Sequence, residues 1–159
     1  MFTRTTFSPA TRSLMDKSRL IALDLGYDYI TTIHLFIADC ALDTVGSLRS
    51  YSFPTEQAYK TFYASYRKEE ASILAAPTLP LTLEAERAIR RGLVETRLQR
   101  GKQTEPYHIL LGAAHNKDSL LRTVLWGKEE DLYISLKKYY ASKGLLSLHT
   151  KRKWWQLFP

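Results

Sequence analysis

The side chains in this 159-residue chain best suited to metal binding or nucleophilic chemistry are His34, His108, His115, His149 and the single cysteine, Cys40. Their spacing argues against both chemistries. His108 and His115 fall on one face of a helix, but about 10.5 Å of helical rise separates them, too far for one ion. Neither a His-Glu-x-x-His nor a Cys-x-x-Cys spacing occurs. Cys40 lies more than a turn beyond His34, and a separation of this size turns a helix through about 600°, leaving the pair on separate faces. The expectation is a non-enzymatic chain with no metal and no cofactor.

The histidines carry information of another kind. "DYITTIHLFIAD" and "TEPYHILLGAAH" each place a histidine, His34 in the first and His108 in the second, at the head of an apolar run. Polar rings at this position fit helix-start struts, each hydrogen-bonded to a nearby backbone group and fixing the preceding loop.

The elements needed to position such struts follow from local signals. Ser8-Pro9 starts a helix that runs to about Leu25, with Leu14, Ser18, Ile21, Ala22 and Leu25 on its buried face and Gly26 as its stop. Thr31 or Thr32 caps a second helix over about Ile33 to Leu42, apolar nearly all round and therefore central. A short element lies near Val45 to Tyr51. Pro54 then opens a helix striped with Tyr59, Phe62, Tyr63 and Tyr66. "ILAAPTLPL" (73–81) reads as an extended, partly packed linker.

The second half repeats the first. Thr82 takes the place of Ser8, and a helix with Ala85, Ala88, Ile89, Gly92 and Thr96 inward runs to about Arg100, followed by Gly101. Pro106 and His108 open the next helix. Asn116 caps a short one through "SLLRTVLW", and "KEEDLYISLKKYYASKG" gives the last, ended by Gly144. The predicted architecture is all-α: two tandem, pseudo-twofold-related four-helix repeats over residues 7–72 and 82–143, within a domain at 1–143, then a basic and aromatic tail at 144–159. No segment shows the alternation of a strand.

Composition agrees with one globular domain: 45% of residues are hydrophobic and 25% charged. No apolar run reaches the roughly 18 residues needed to span a bilayer. The amino terminus has the Arg/Ser/Thr composition of an organelle transit peptide, but the first helix begins too soon after it, so a cytoplasmic protein is expected. The net charge of +7 favours acidic partners without naming one.

Aligned without a gap, "FSPATRSLMDKSRLIALDLGYDYITTIHLFIAD" and "LTLEAERAIRRGLVETRLQRGKQTEPYHILLGA" reach their histidines in the same register. The first carries Phe7, Ser8, Leu25, Gly26, Tyr27, Tyr29, Ile30, Thr32, His34 and Leu35; the second carries Leu81, Thr82, Ala85, His108, Leu110, Leu111 and Gly112. This doubled pattern resembles the Clp amino-terminal domain. The resemblance covers about residues 7 to 143 and implies a helical module that binds adaptors or substrate segments at the mouth of a Clp ATPase ring. The chain lacks the G-x-x-x-x-G-K-[ST] phosphate loop, so it is read as either a free-standing relative or an excised amino-terminal domain. Its implied partners are Clp ATPase or protease subunits and adaptor or substrate peptides.

Phosphoarginine-reading members of the family place an acid before each motif histidine to meet the guanidinium. Here those positions are Ile33 and Tyr107, and neither can form a charge-assisted pair. An apolar or aromatic-lined peptide groove with Tyr107 as anchor is the better expectation. Candidate contact residues are Thr32, Ile33 and Tyr107 at the helix starts, with Trp154 and Trp155 in the tail.

The runner-up reading is nucleic-acid association through Arg87, Arg90, Arg91, Arg97, Arg100 and Lys102 together with the tail "KRKWW". Glu84, Glu86 and Glu95 lie among these arginines and suit helical ion pairs, so a solvated charged face is favoured. The tail can pack back on the domain, engage a protein or touch a membrane surface.

Overall fold

The computed structural model describes residues 5–42, 48–69, 77–125 and 131–146. Among these, the chain order is β1 (Thr6–Phe7), α1 (Pro9–Asp24), α2 (Thr32–Leu42), α3 (Leu48–Ser52), α4 (Glu56–Ser65), α5 (Leu83–Leu98), β2 (Gln103–Thr104), α6 (Pro106–His115), α7 (Leu120–Leu125) and α8 (Leu132–Ser142). The protein is all-α apart from the two very short strands. Of the expected elements, residues 45–47 of the short one near Val45 to Tyr51 (otherwise seen as α3), 73–76 of the linker, 126–130 before the last helix, and 147–159 of the tail, with His149, Trp154 and Trp155, lie outside the described residues.

The helices begin where capping chemistry permits. The Ser8 hydroxyl accepts the Thr11 N–H at 3.1 Å to start α1, and Thr82 accepts the Ala85 N–H at 3.3 Å to start α5. The expected start of α4 at Pro54 moves to Glu56, because Thr55 is the residue that caps it, accepting the Ala58 N–H at 3.1 Å. Asn116 does not cap α7. Its Oδ1 accepts the Asp118 N–H at 3.2 Å, and Ser119 stands at the helix start instead.

Helices α2 and α6 form the centre, with Leu35, Phe36, Ile37 and Ala38 buried on one and Ile109, Leu110, Leu111 and Ala113 on the other. The aromatic stripe of α4 is only partly buried: Phe62 meets Phe36 edge-on at 6.0 Å between ring centres, and Tyr59 meets Phe53 at 5.4 Å. α5 and α6 approach so closely that backbone touches backbone at Gly92 and Gly112. The counterpart positions on α1 and α2 are Ser18 and Ala38, both with a side chain.

The short strands show how the halves are joined. β1 pairs with β2 in parallel, Phe7 opposite Thr104, while an isolated parallel bridge joins Ile30 to Leu81. The register that sets His34 on His108 also sets Phe7 on Leu81 and Ile30 on Thr104, so the pairings are exchanged copies of each other. The flanking bonds repeat the exchange: the Ser8 N–H donates to the Thr104 carbonyl at 3.1 Å, and the Thr82 N–H to the Ile30 carbonyl at 2.9 Å. Reciprocal contact of this kind is what a twofold relation produces. Such short pairings leave no period-two signature in sequence.

The ends of α1 and α5 differ by one residue type. Gly26 follows α1 at φ 85°, and at the matching position of the second repeat the same left-handed turn is made by Arg100 at φ 55°. Gly101, which follows the helix in sequence, lies one place beyond that turn. A left-handed L-residue costs roughly 1–2 kcal/mol, partly offset by the entropy that glycine loses on folding. Arg100→Gly is therefore expected to stabilise the fold by about 0.5–1 kcal/mol, read as a higher urea midpoint.

Candidate functional site

The two motif histidines do the same job. His34 Nδ1 accepts the Thr31 N–H at 3.0 Å, and His108 Nδ1 accepts the Glu105 N–H at 3.0 Å. Each ring reaches back from the first turn of its helix and fixes the loop before it, in the manner of the acid or amide of a capping box. Both rings are buried, and burial lowers their pKa values from 6.5 to about 4, with the Lys68 ammonium adding to the effect at His34. They are neutral at pH 7. With Nδ1 accepting, each neutral ring carries its proton on Nε2.

A carboxylate ties the first of these helix starts to the other repeat. Glu84 Oε1 accepts the Thr32 N–H at 2.8 Å and the Thr82 hydroxyl at 3.0 Å, while Oε2 accepts the Thr32 hydroxyl at 2.6 Å and the Leu120 N–H at 3.2 Å. Thr32 Oγ1 in turn accepts the Leu121 N–H at 3.1 Å. One carboxylate thus anchors the starts of α2, α5 and α7. The positions matching Thr32 and Glu84 hold Pro106, which has no N–H, and Ala10, so the repeats do not share the junction. Glu84→Ala is expected to cost about 2–4 kcal/mol, because it leaves two helix-start N–H groups without acceptors; chemical denaturation measures the loss.

These placements correct the surface reading of three residues. Thr32 and Ile33 are buried at 0% and 2% exposure, the first held by Glu84 and the second part of the core, so neither offers surface to a partner. Glu95 is also fully buried rather than solvated. Its Oε1 accepts from Arg91 Nη2 at 2.9 Å and from the Tyr133 hydroxyl at 3.0 Å. Two further arginines of α5 form surface pairs: Arg90 with Glu86 at 2.7 Å and Arg87 with Asp118 at 3.6 Å. Cys40 is buried.

Tyr107 is half-buried, its ring 4.3 Å from that of His108 and 5.7 Å from that of Tyr140. It lines a cleft of about 610 Å³ at the start of α6 together with Thr6, Gly101, Lys102, Gln103, Glu105 and His108. The Ser8 hydroxyl holds Glu105 from behind, donating to Oε2 at 2.8 Å. His108 Nε2 is buried and has no hydrogen-bond partner. Sequence reasoning singled out Tyr107 and His108 but did not place Gly101, Lys102, Gln103 and Glu105 with them. The available signal was the repeat register, which sets Gly101 against Tyr27.

A second depression, of about 410 Å³, is lined by Arg87, Arg91, His115, Asn116 and Lys117. Among the described residues no group of three or more His, Cys, Asp or Glu side chains is placed to hold a metal ion, and no helix is long and apolar enough to cross a membrane.

No family model matches the sequence, and no curated protein matches it. The fold does have a solved counterpart. The crystal structure of the N-terminal domain of the caseinolytic protease associated chaperone ClpD from Arabidopsis thaliana superposes with a TM-score of 0.63 at 17% identity, covering 86% of this chain and 96% of that one. The chain is therefore similar in fold to a Clp N-terminal domain.

Proposed function

We propose that this chain is a non-catalytic protein- and peptide-binding module of the Clp N-domain type, serving a Clp unfoldase or protease as adaptor or substrate receptor. The observation that carries the reading is the cleft at Tyr107: a concave site with one aromatic wall and several polar groups, built on a fold similar to a Clp chaperone's N-terminal domain. The reading assigns no chemical step to the chain. Tyr107 supplies the aromatic anchor, and Lys102, Gln103 and Glu105 supply polar contacts along the rim. Thr32 and Ile33 act only by holding the start of α2.

The test replaces Tyr107 with a photo-crosslinking phenylalanine in the full chain, then irradiates it with a purified Clp ATPase and with an unfolded client protein. Cross-links to either one, lost when Lys102 and Gln103 are both changed to alanine, support the reading. Absence of cross-links to both overturns it.

The basic depression around Arg87, Arg91 and Lys117 motivates the second reading, nucleic-acid association. Contact through phosphates requires that binding of a single-stranded probe weaken steeply with salt. Against it, Arg87 and Arg91 are already engaged by Asp118 and Glu95.

A further inference from the structure

The two repeats differ at the place where the cleft opens. In the first repeat, the Tyr27 N–H donates to the Ala22 carbonyl at 2.8 Å; in the second, the Gly101 N–H donates to the Thr96 carbonyl at 2.8 Å. Tyr27 and Gly101 occupy matching positions of the two repeats, so the backbone bond is the same and the side chain differs. The Tyr27 ring sits 4.6 Å from that of His34 and 5.4 Å from that of Tyr29, with the Lys68 ammonium 4.3 Å above it. Gly101 brings no ring to His108, and the cleft of about 610 Å³ lies there instead.

Its lining sets what it can hold. His108 is only 2% exposed, and it lines the cleft with Nε2 unpartnered. With Nδ1 committed to the Glu105 N–H, the free nitrogen is a neutral donor in want of an acceptor. Glu105, also in the lining, is an acceptor with lone pairs beyond the one that meets Ser8. A carboxylate guest would satisfy the histidine but face Glu105; a guanidinium guest would meet Glu105 but leave the histidine without an acceptor. A carboxamide satisfies both, offering C=O to one and N–H to the other, and Lys102 balances the charge of Glu105.

We propose that the second-repeat cleft alone takes ligand, one per chain, and that the ligand is an uncharged amide, either a peptide group or a glutamine or asparagine side chain, bound between His108 and Glu105. This rests on the peptide-binding reading above and narrows it. The first-repeat counterpart has the Tyr27 ring against His34 and Thr31 in place of Glu105.

The test titrates the isotope-labelled full chain with N-acetylglutamine N-methylamide, following backbone amide and histidine ring nitrogen signals, with acetate and methylguanidinium as comparison solutes. Shifts are expected at Gly101, Lys102, Gln103 and the His108 Nε2 signal, and none at Tyr27, Tyr29 or His34. Gly101→Tyr should abolish these shifts, whereas Tyr27→Gly should add none at His34, because Thr31 stands where the glutamate acceptor would be needed.

A Cβ at Gly101 would lie 3.0 Å from Thr96 Cγ2, so Gly101→Tyr can disturb the fold, and the comparison of the amide with acetate and methylguanidinium on the unmodified chain decides independently. Equal shifts at both repeats in the unmodified chain overturn the proposal, as do shifts at His108 that acetate or methylguanidinium matches. Cross-linking at Tyr107 without an amide response refutes this proposal and leaves the binding reading intact; the reverse result does the opposite.

Discussion

Gly112→Ala is expected to destabilise the protein by roughly 3 kcal/mol or more, a large part of the total for a domain of this size. A Cβ at this position would fall inside the contact distance of the Ala88 carbonyl oxygen and 2.7 Å from the Gly92 nitrogen. Both obstacles are backbone atoms of α5, which no rotamer change can move away. The helices must separate, and the buried rows on either side lose packing with them. Alanine's higher helix propensity returns only about 1 kcal/mol. Gly92→Ala is the control. Its Cβ would meet Ile109 Cα at 3.0 Å and the His108 carbonyl at 3.1 Å, a crowding that small shifts relieve, so a smaller loss is expected. Urea titrations of both variants decide the order; equal losses would refute the close-approach argument.

Acid should unfold the protein earlier than its carboxylates require. His34 and His108 have folded pKa values lowered to about 4 by burial, against 6.5 in the unfolded chain. Between those values the unfolded state binds more protons, so this contribution to stability is complete above pH 6.5 and declines as pH falls toward 4. Each ring accounts for about 2 kcal/mol between pH 7 and pH 5. The pair should therefore remove about 4 kcal/mol before most carboxylates titrate. A glutamine can also accept the N–H three residues before it, so His34→Gln and His108→Gln keep the strut while removing the titration. Each should reduce the slope of stability against pH by about half between pH 7 and 5. A slope unchanged in both variants would place the acid sensitivity elsewhere.

What the sequence disclosed was local or repeated. Ser8, Thr82 and the proline after Glu105 mark helix starts by chemistry confined to one turn, and their positions hold in the structure. The repeat register is legible because the histidines recur with the same apolar run behind them.

Glu84 could not be read this way. A glutamate shortly before an arginine on a helix looks like half of a surface pair, and only the other repeat's arrival makes it a three-helix anchor. Ile33 misled for a related reason: a residue at the mouth of a helix reads as surface unless that helix is enclosed on every side, as α2 is. At the cleft, Tyr107 was visible as an aromatic, whereas Gly101 mattered for a side chain it lacks.

The exchanged strand pairings also set a condition on how the protein is made. Phe7 waits for Thr104, and Ile30 waits for Leu81, so a first repeat emerging from the ribosome has its helices but not the partners for its extended segments. Long-range closure of this kind slows folding, and the nascent half stays open at both segments until the matching stretches of the second repeat have been synthesised. Two halves produced separately and then mixed should recover the pairings, since each carries the segments that the other lacks.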